Sequence, residues 1–257
     1  MLKNKKKMII IIVSIAVLLI AIITIIAIII NKSKNKTENN SGEEITIDTE
    51  KLEIEFNEPF LNEETEYVKI RTQLEKSELG KYDVTVYIPE IISERETAKQ
   101  INTEMYMLIA KVINEAVNVD KYSKYEVEYT SFTNNDILSI IIRFTIKEED
   151  NPRRIIIKTY NYNLETDEKV ELSDIIDTNQ GNEIETSIMK KIEEENKLSE
   201  KTIEQGYSAF IRDTTSDIYK IENANEFFIG KDGILYIVYA YGNQEYTDVV
   251  DLILYAL

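Results

Sequence analysis

The stretch from Tyr82 to Val117, YDVTVYIPEIISERETAKQINTEMYMLIAKVINEAV, changes its hydrophobic period once, and that change decides the fold class. Val84, Val86 and Ile88 alternate with polar neighbours, the two-residue period of a half-buried strand, and Pro89 reads as its end. From Ser93 the period lengthens. Ala98, Ile101, Met105, Leu108, Val112 and Ala116 step by three and four, which puts an apolar stripe on a helix running to about Val117. Glu96 stands three positions after Ser93, the spacing of a capping box. A strand handing over to one amphipathic helix means a mixed architecture.

Downstream the signals are mostly those of strands. Tyr125, Val127 and Tyr129 alternate, and Thr133-Asn134-Asn135-Asp136 turns into a strand from Ile137 to Ile146. Asn151-Pro152 breaks the chain before a strand from Arg154 to Leu164, and Glu165 to Glu168 turns toward Val170 and Leu172. Ser173 is placed to cap a short helix at Asp174 to Asp177, and Ile184, Ile188 and Ile192 line a longer one. Leu198 to Ile221 is less regular. Phe227 to Ile229 and Ile234 to Tyr241 flank Gly230-Lys231-Asp232-Gly233, a hairpin signal, and Tyr246 to Tyr255 reads as the closing strand. Upstream, Ile45, Ile47, Leu52, Ile54 and Phe56 alternate as a strand would. Strands outnumber helices and short turns join them, so the sequence predicts an α+β fold, an antiparallel sheet with helices packed on one face. This domain spans 45–257, with a possible division into sub-modules at 45–165 and 166–257.

What precedes the domain sets its place. Met8 to Ile30 is an unbroken apolar run, and at about 1.5 Å per residue it reaches roughly 34 Å, enough to cross a bilayer core. Lys3, Lys5, Lys6 and Lys7 sit before it, and Lys32, Lys34 and Lys36 follow it. The run exceeds a signal-peptide core, and Asn31-Lys32-Ser33 offers no small-x-small cleavage site. The prediction is a cytoplasmic tail at 1–7, a single transmembrane signal-anchor at 8–30, a flexible stalk at 31–44 and an extracytoplasmic domain.

Composition narrows the chemistry. The chain of 257 residues holds no Cys, His or Trp, and carries 30 Lys and Arg against 47 Asp and Glu. Seven of the basic residues and none of the acids lie before residue 37, which leaves 23 basic against 47 acidic residues beyond it, a net charge of −24. Such a surface repels nucleic acid and steers cations or basic proteins toward itself. Without His or Cys, Ser-His-Asp triads, Cys-His dyads, His-ligated zinc and disulfides are excluded. No phosphate-cradling Gly-rich motif occurs, and no cofactor is expected. The clusters Glu148, Glu149 and Asp150, and Asp177, Asn179 and Glu183, read as solvated loops; around Gly181 the calcium-loop spacing is wrong.

Two segments carry a family resemblance. Tyr160-Asn161-Tyr162-Asn163-Leu164-Glu165-Thr166 runs into Val170-Glu171-Leu172-Ser173-Asp174-Ile175-Ile176, and a terminal block follows: Phe227, Asp232-Gly233-Ile234, Tyr239-Ala240-Tyr241 and Asp251 to Tyr255. From Lys81 to Tyr255 the chain resembles the domain-of-unknown-function module in the ectodomain of lysozyme-sensing anti-sigma-V factors, which also precedes the catalytic domain of some peptidoglycan deacetylases. Asp167 stands where that family's turn has Gly. Glu148 to Arg154 replaces its Gly-Gly-Ala-His segment, so no ligand contact carries over from there. The resemblance implies an extracytoplasmic binding fold, with neither the sigma-factor grip nor the deacetylase activity attached.

Three functions follow from the residues. One is a non-catalytic, membrane-anchored binding or sensor module facing the cell wall and engaging a basic protein or peptidoglycan. A second is assembly with another membrane protein. The third is a glycan hydrolase working on two carboxylates. Tyrosines favour contact surfaces, whether at Tyr122, Tyr125 and Tyr129 or at Tyr236, Tyr239, Tyr241 and Tyr246, although alternating Tyr also packs half-buried sheets. The leading contact loop is Gly242-Asn243-Gln244-Glu245, between Tyr239 and Tyr241 on one side and Tyr246 on the other. No residue is named as catalytic or as a metal ligand.

Overall fold

The computed structural model describes residues 55–56, 58–118 and 121–257. The predicted tail, span, stalk and the alternation from Ile45 to Ile54 lie outside these. Among the described residues, no helix is long and apolar enough to cross a membrane.

The elements are β1 (Val68–Glu78), β2 (Tyr82–Ile91), α1 (Glu96–Val117), β3 (Ser123–Asn134), β4 (Ile137–Glu148), β5 (Arg154–Asn163), β6 (Glu168–Lys169), α2 (Thr178–Glu204), β7 (Phe227–Ile229), β8 (Ile234–Ala240) and β9 (Val250–Ala256). They form two sheets, a six-stranded one ordered β1-β2-β3-β4-β5-β6 and a three-stranded one ordered β7-β8-β9. The α+β class holds, with two corrections. The larger sheet is mixed, because β2 and β3 run parallel, Tyr82 opposite Ser123 and Val86 opposite Val127. A parallel pair needs a long crossover, and α1 supplies it. The helices, moreover, do not share a face.

Four layers result. The even-numbered residues of β4 (Leu138, Ile140, Ile142, Phe144 and Ile146) pack with Tyr125, Val127 and Tyr129 against Ala98, Ile101, Met105 and Ile109 of α1. On the opposite face Ile141, Ile155, Ile157 and Phe132 meet Phe228, Tyr236, Val238 and Ala240 of the second sheet. That sheet's other face, Leu235, Ile237, Tyr239 and Ile253, packs on Ile184, Ile188 and Ile192 of α2. The order is helix, sheet, sheet, helix. Strands between two packed layers lose their alternation, which is why β4 and β8 read as nearly continuous apolar runs.

Local signals mostly decide the joints. The β3–β4 hairpin turns at Asn135 and Asp136, with Asn135 at φ 49°, a left-handed conformation that Asn tolerates. Asp167 has φ 61° where the resembled module carries Gly. Its carboxylate accepts from Tyr162 Oη (2.8 Å) and from Thr97 N (3.4 Å), so the turn also serves the first turn of α1. The predicted Ser93 capping box does not form. Arg95 is the residue before the helix, its side chain donating to Leu164 O and Glu165 O (both 2.9 Å), while Ser93 Oγ accepts from Arg95 N and caps no helix amide. Ser173 likewise caps nothing: the short helix is a 3-10 turn over Leu172–Asp174, preceded by Glu171, and Asp177 starts α2 in a capping box with Gln180. Pro89 does not end β2, which continues to Ile91; it sits opposite Ile70, where β1 shifts register and no ladder donor is needed.

Candidate functional site

The last element, β9, has β8 on one side. An open groove of about 1370 Å³ is lined by Val250, Asp251, Leu252 and Leu254 of β9. Its walls are Lys191, Glu195 and Ser199 from α2, the 208–212 segment including Phe210 and Arg212, the loop from Glu245 to Val249, and Pro152 and Arg153 from the β4–β5 turn.

Beneath it lies a buried polar centre. Arg212 and Asp251 are 5% and 4% exposed, and the guanidinium holds the carboxylate in a two-point ion pair, Nη2 to Oδ1 at 2.7 Å. A charge pair so deep is retained only with its remaining atoms satisfied. Tyr241 Oη donates to Asp251 Oδ2 (2.7 Å), and Tyr219 Oη donates to Tyr241 Oη (3.1 Å). The rings of Phe210 and Tyr241 flank the guanidinium at 5.8 and 5.6 Å, and Glu195 stands 3.7 Å from it. Asn196 fixes the segment from α2, accepting from Arg212 N and donating to Arg212 O, both at 2.8 Å. Burial and the adjacent carboxylate drive the Tyr241 hydroxyl far above its ordinary value, so it stays a donor. Burial alone would lower the Arg212 pKa, but the bond and charge of Asp251 outweigh it and raise the pKa.

The rim is tied by more exposed contacts. Arg153 pairs with Asp248 (2.7 Å) and Lys191 with Glu195 (2.6 Å). Arg154 Nε donates to Gly242 O (2.9 Å), and its guanidinium lies 5.3 Å from the Tyr246 ring. Ile155 N donates to Thr247 O (3.2 Å). At Gly242 a Cβ would come within 2.4 Å of Ile155 O, so only glycine lets the loop close onto β5.

The predicted contact residues therefore separate. Glu245 and Tyr246 line the groove, and Tyr246 is 53% exposed. Asn243 and Gln244 are exposed on the same loop, which is a 3-10 turn at Tyr241–Asn243 rather than a tight hairpin, and the closing strand starts at Val250 rather than Tyr246. Tyr241 and Gly242 are buried and hold the loop. Tyr239 is buried 5.3 Å from Tyr219 in the α2-facing layer, its hydroxyl without a hydrogen-bond partner. Of the other tyrosines, Tyr125 is buried against Glu148 (2.7 Å) and Tyr129 against Glu63 O (3.1 Å); Tyr236 is buried between the sheets. Glu149 pairs with Lys121 (3.0 Å), and among the described residues no group of acids converges as a metal cage.

Sequence reasoning missed Arg212, Phe210, Glu195 and Asp251. One signal was present: Asp251 is a lone acid inside Val249-Val250-Asp251-Leu252-Ile253-Leu254, and a charge in so apolar a strand requires a partner.

No family model and no curated protein matches the chain. Solved structures do. A DUF3298 family protein from Pseudomonas aeruginosa PAO1 is similar with a TM-score of 0.50 at 12% identity, over 73% of this chain and 88% of that one. A member of the same family from Bacteroides fragilis NCTC 9343 gives a TM-score of 0.44 at 11% identity, over 74% and 89%. At such identities the likeness is one of fold, and the chain carries the fold of a domain-of-unknown-function module.

Proposed function

We propose that this chain is a membrane-anchored, extracytoplasmic binding module without catalytic activity, turned toward the cell wall and engaging a basic protein or a wall component. The observation that carries the reading is the groove beside Tyr246. It is open, and it joins an exposed aromatic ring to the carboxylates of Glu195, Glu245 and Asp248. Glu195, Asp248 and Asp251 each have a basic side chain on them, and none stands in the apolar pocket that surrounds the acid of a glycosidase. The apolar run at 8–30 supports the anchor, and the net charge of −24 beyond residue 36 supports a cationic partner. The resemblance to a lysozyme-sensing module agrees with both.

The test is a titration of the full-length chain in detergent micelles with lysozyme, and separately with soluble peptidoglycan fragments, from about 50 to 500 mM salt, over which screening shortens strongly. One of the two should bind, with an affinity that falls with salt but keeps a salt-resistant part that Tyr246→Ala removes. No binding of either at low salt overturns the reading.

A further inference from the structure

The groove touches side chains from both faces of β9, Asp251 on one and Val250, Leu252 and Leu254 on the other, and none from β8. It therefore runs along the outer edge of β9, away from its ladder partner. The backbone phase is readable. Tyr241 N donates to Val249 O (3.2 Å) in register with the β8–β9 ladder, where Tyr239 faces Asp251 and Ile237 faces Ile253. Antiparallel pairs alternate, so those residues bond across to β8 while Val250, Leu252 and Leu254 turn their N–H and C=O groups outward into the groove. Such a row is a template for another strand.

Resting on the binding function proposed above, we propose that the groove takes an extended peptide segment, rich in Lys or Arg, that adds to the outer edge of β9 as a fourth strand of the β7-β8-β9 sheet. The walls suit an extended chain better than a compact ligand, since α2 stands on one side and Pro152-Arg153 on the other. The charge argues for a basic peptide: Glu195, Glu245, Asp248 and Asp251 outnumber Arg153, Lys191 and Arg212, in a chain of net charge −17.

The probe is an alternating Lys-Val octapeptide, with a Glu-Val octapeptide as its acidic counterpart, titrated against the full-length chain in detergent micelles. The Lys-Val peptide should bind more tightly, and hydrogen exchange at the amides of Val250, Leu252 and Leu254 should slow when it does. Methylating alternate peptide nitrogens gives a sharper readout. One set, aimed at β9, should lower affinity about tenfold per methyl, the order of one lost backbone hydrogen bond, and the other set should leave it unchanged. Equal effects from the two sets overturn the proposal. So do β9 amides already slow without peptide, whether independently of protein concentration (the chain's own residues before Glu55 on the edge) or dependent on it (a second copy). Lysozyme or wall fragments that bind with no change at β9 overturn the strand and leave the binding function standing; a chain that binds no probe overturns both.

Discussion

At the residue scale, the Arg212–Asp251 pair shows how one charge commits the residues around it. Asp251 faces the α2 layer from the start of an apolar strand, and its carboxylate is held by Arg212 and by the Tyr241 hydroxyl. Asp251→Ala leaves a buried guanidinium with no counter-ion nearer than Glu195 and takes the acceptor from Tyr241. We expect a loss of about 3–5 kcal/mol, the usual cost of breaking rather than replacing a buried pair. Denaturant melts would show it as a lower midpoint with little change in slope. A loss below about 1 kcal/mol would mean that water reaches Arg212 through the groove. The same scale explains Asp167: a left-handed position that glycine fills without strain is filled here by a residue whose carboxylate binds Tyr162 and Thr97, so a local cost is offset by two contacts.

Among the elements, α1 separates what period predicts from what packing selects. The stripe read from the sequence included Leu108, yet the residue fully buried at that turn is Ile109, and Leu108 and Val112 are half-buried. Ile109→Ala should therefore cost about 2–5 kcal/mol, and Leu108→Ala clearly less, both measured by thermal or denaturant melts. The reverse order would place the helix in another rotation. The longer elements were legible because period and turn chemistry agree: β2, α1, the β3–β4 and β7–β8 hairpins and the Ile184-Ile188-Ile192 stripe are found where the sequence puts them, apart from the end of β2 and the start of α1. β1 was not legible. It is an edge strand with Val68, Ile70 and Leu74 set among charged residues, and Lys69 pairs with Glu90 across the ladder at 3.0 Å. That charge guards an exposed edge and erases the apolar alternation by which strands are recognised. The layering was missed because the two-faced burial of β4 and β8 is written as apolar runs, which fix no partner. Of the candidate site, the Glu245–Tyr246 rim was legible from loop chemistry; Arg212 was not, since it lies in an irregular stretch and meets Asp251 only through the fold.

For the whole molecule, the missing histidines and cysteines determine the response to pH. No side chain of the sequence titrates ordinarily between the carboxylates and the amines, so stability should be nearly flat from about pH 6 to 9. The tyrosines set the upper limit. Burial lifts Tyr129 and Tyr160 to about 12 and pushes Tyr125, Tyr239 and Tyr241 higher still. In the unfolded chain they ionise near 10. Between those values the folded state binds more protons than the unfolded one, so stability is fully present below about pH 10 and is lost as pH rises toward 12. Each tyrosinate also adds to an excess of negative charge, and self-repulsion acts in the same direction. Circular dichroism and tyrosinate absorbance, followed together, should therefore show these five tyrosines ionising with unfolding and not before it, as a steep step above about pH 10. Gradual ionisation of all 16 tyrosines in a chain that keeps its circular dichroism would contradict the shielding of these five rings from water.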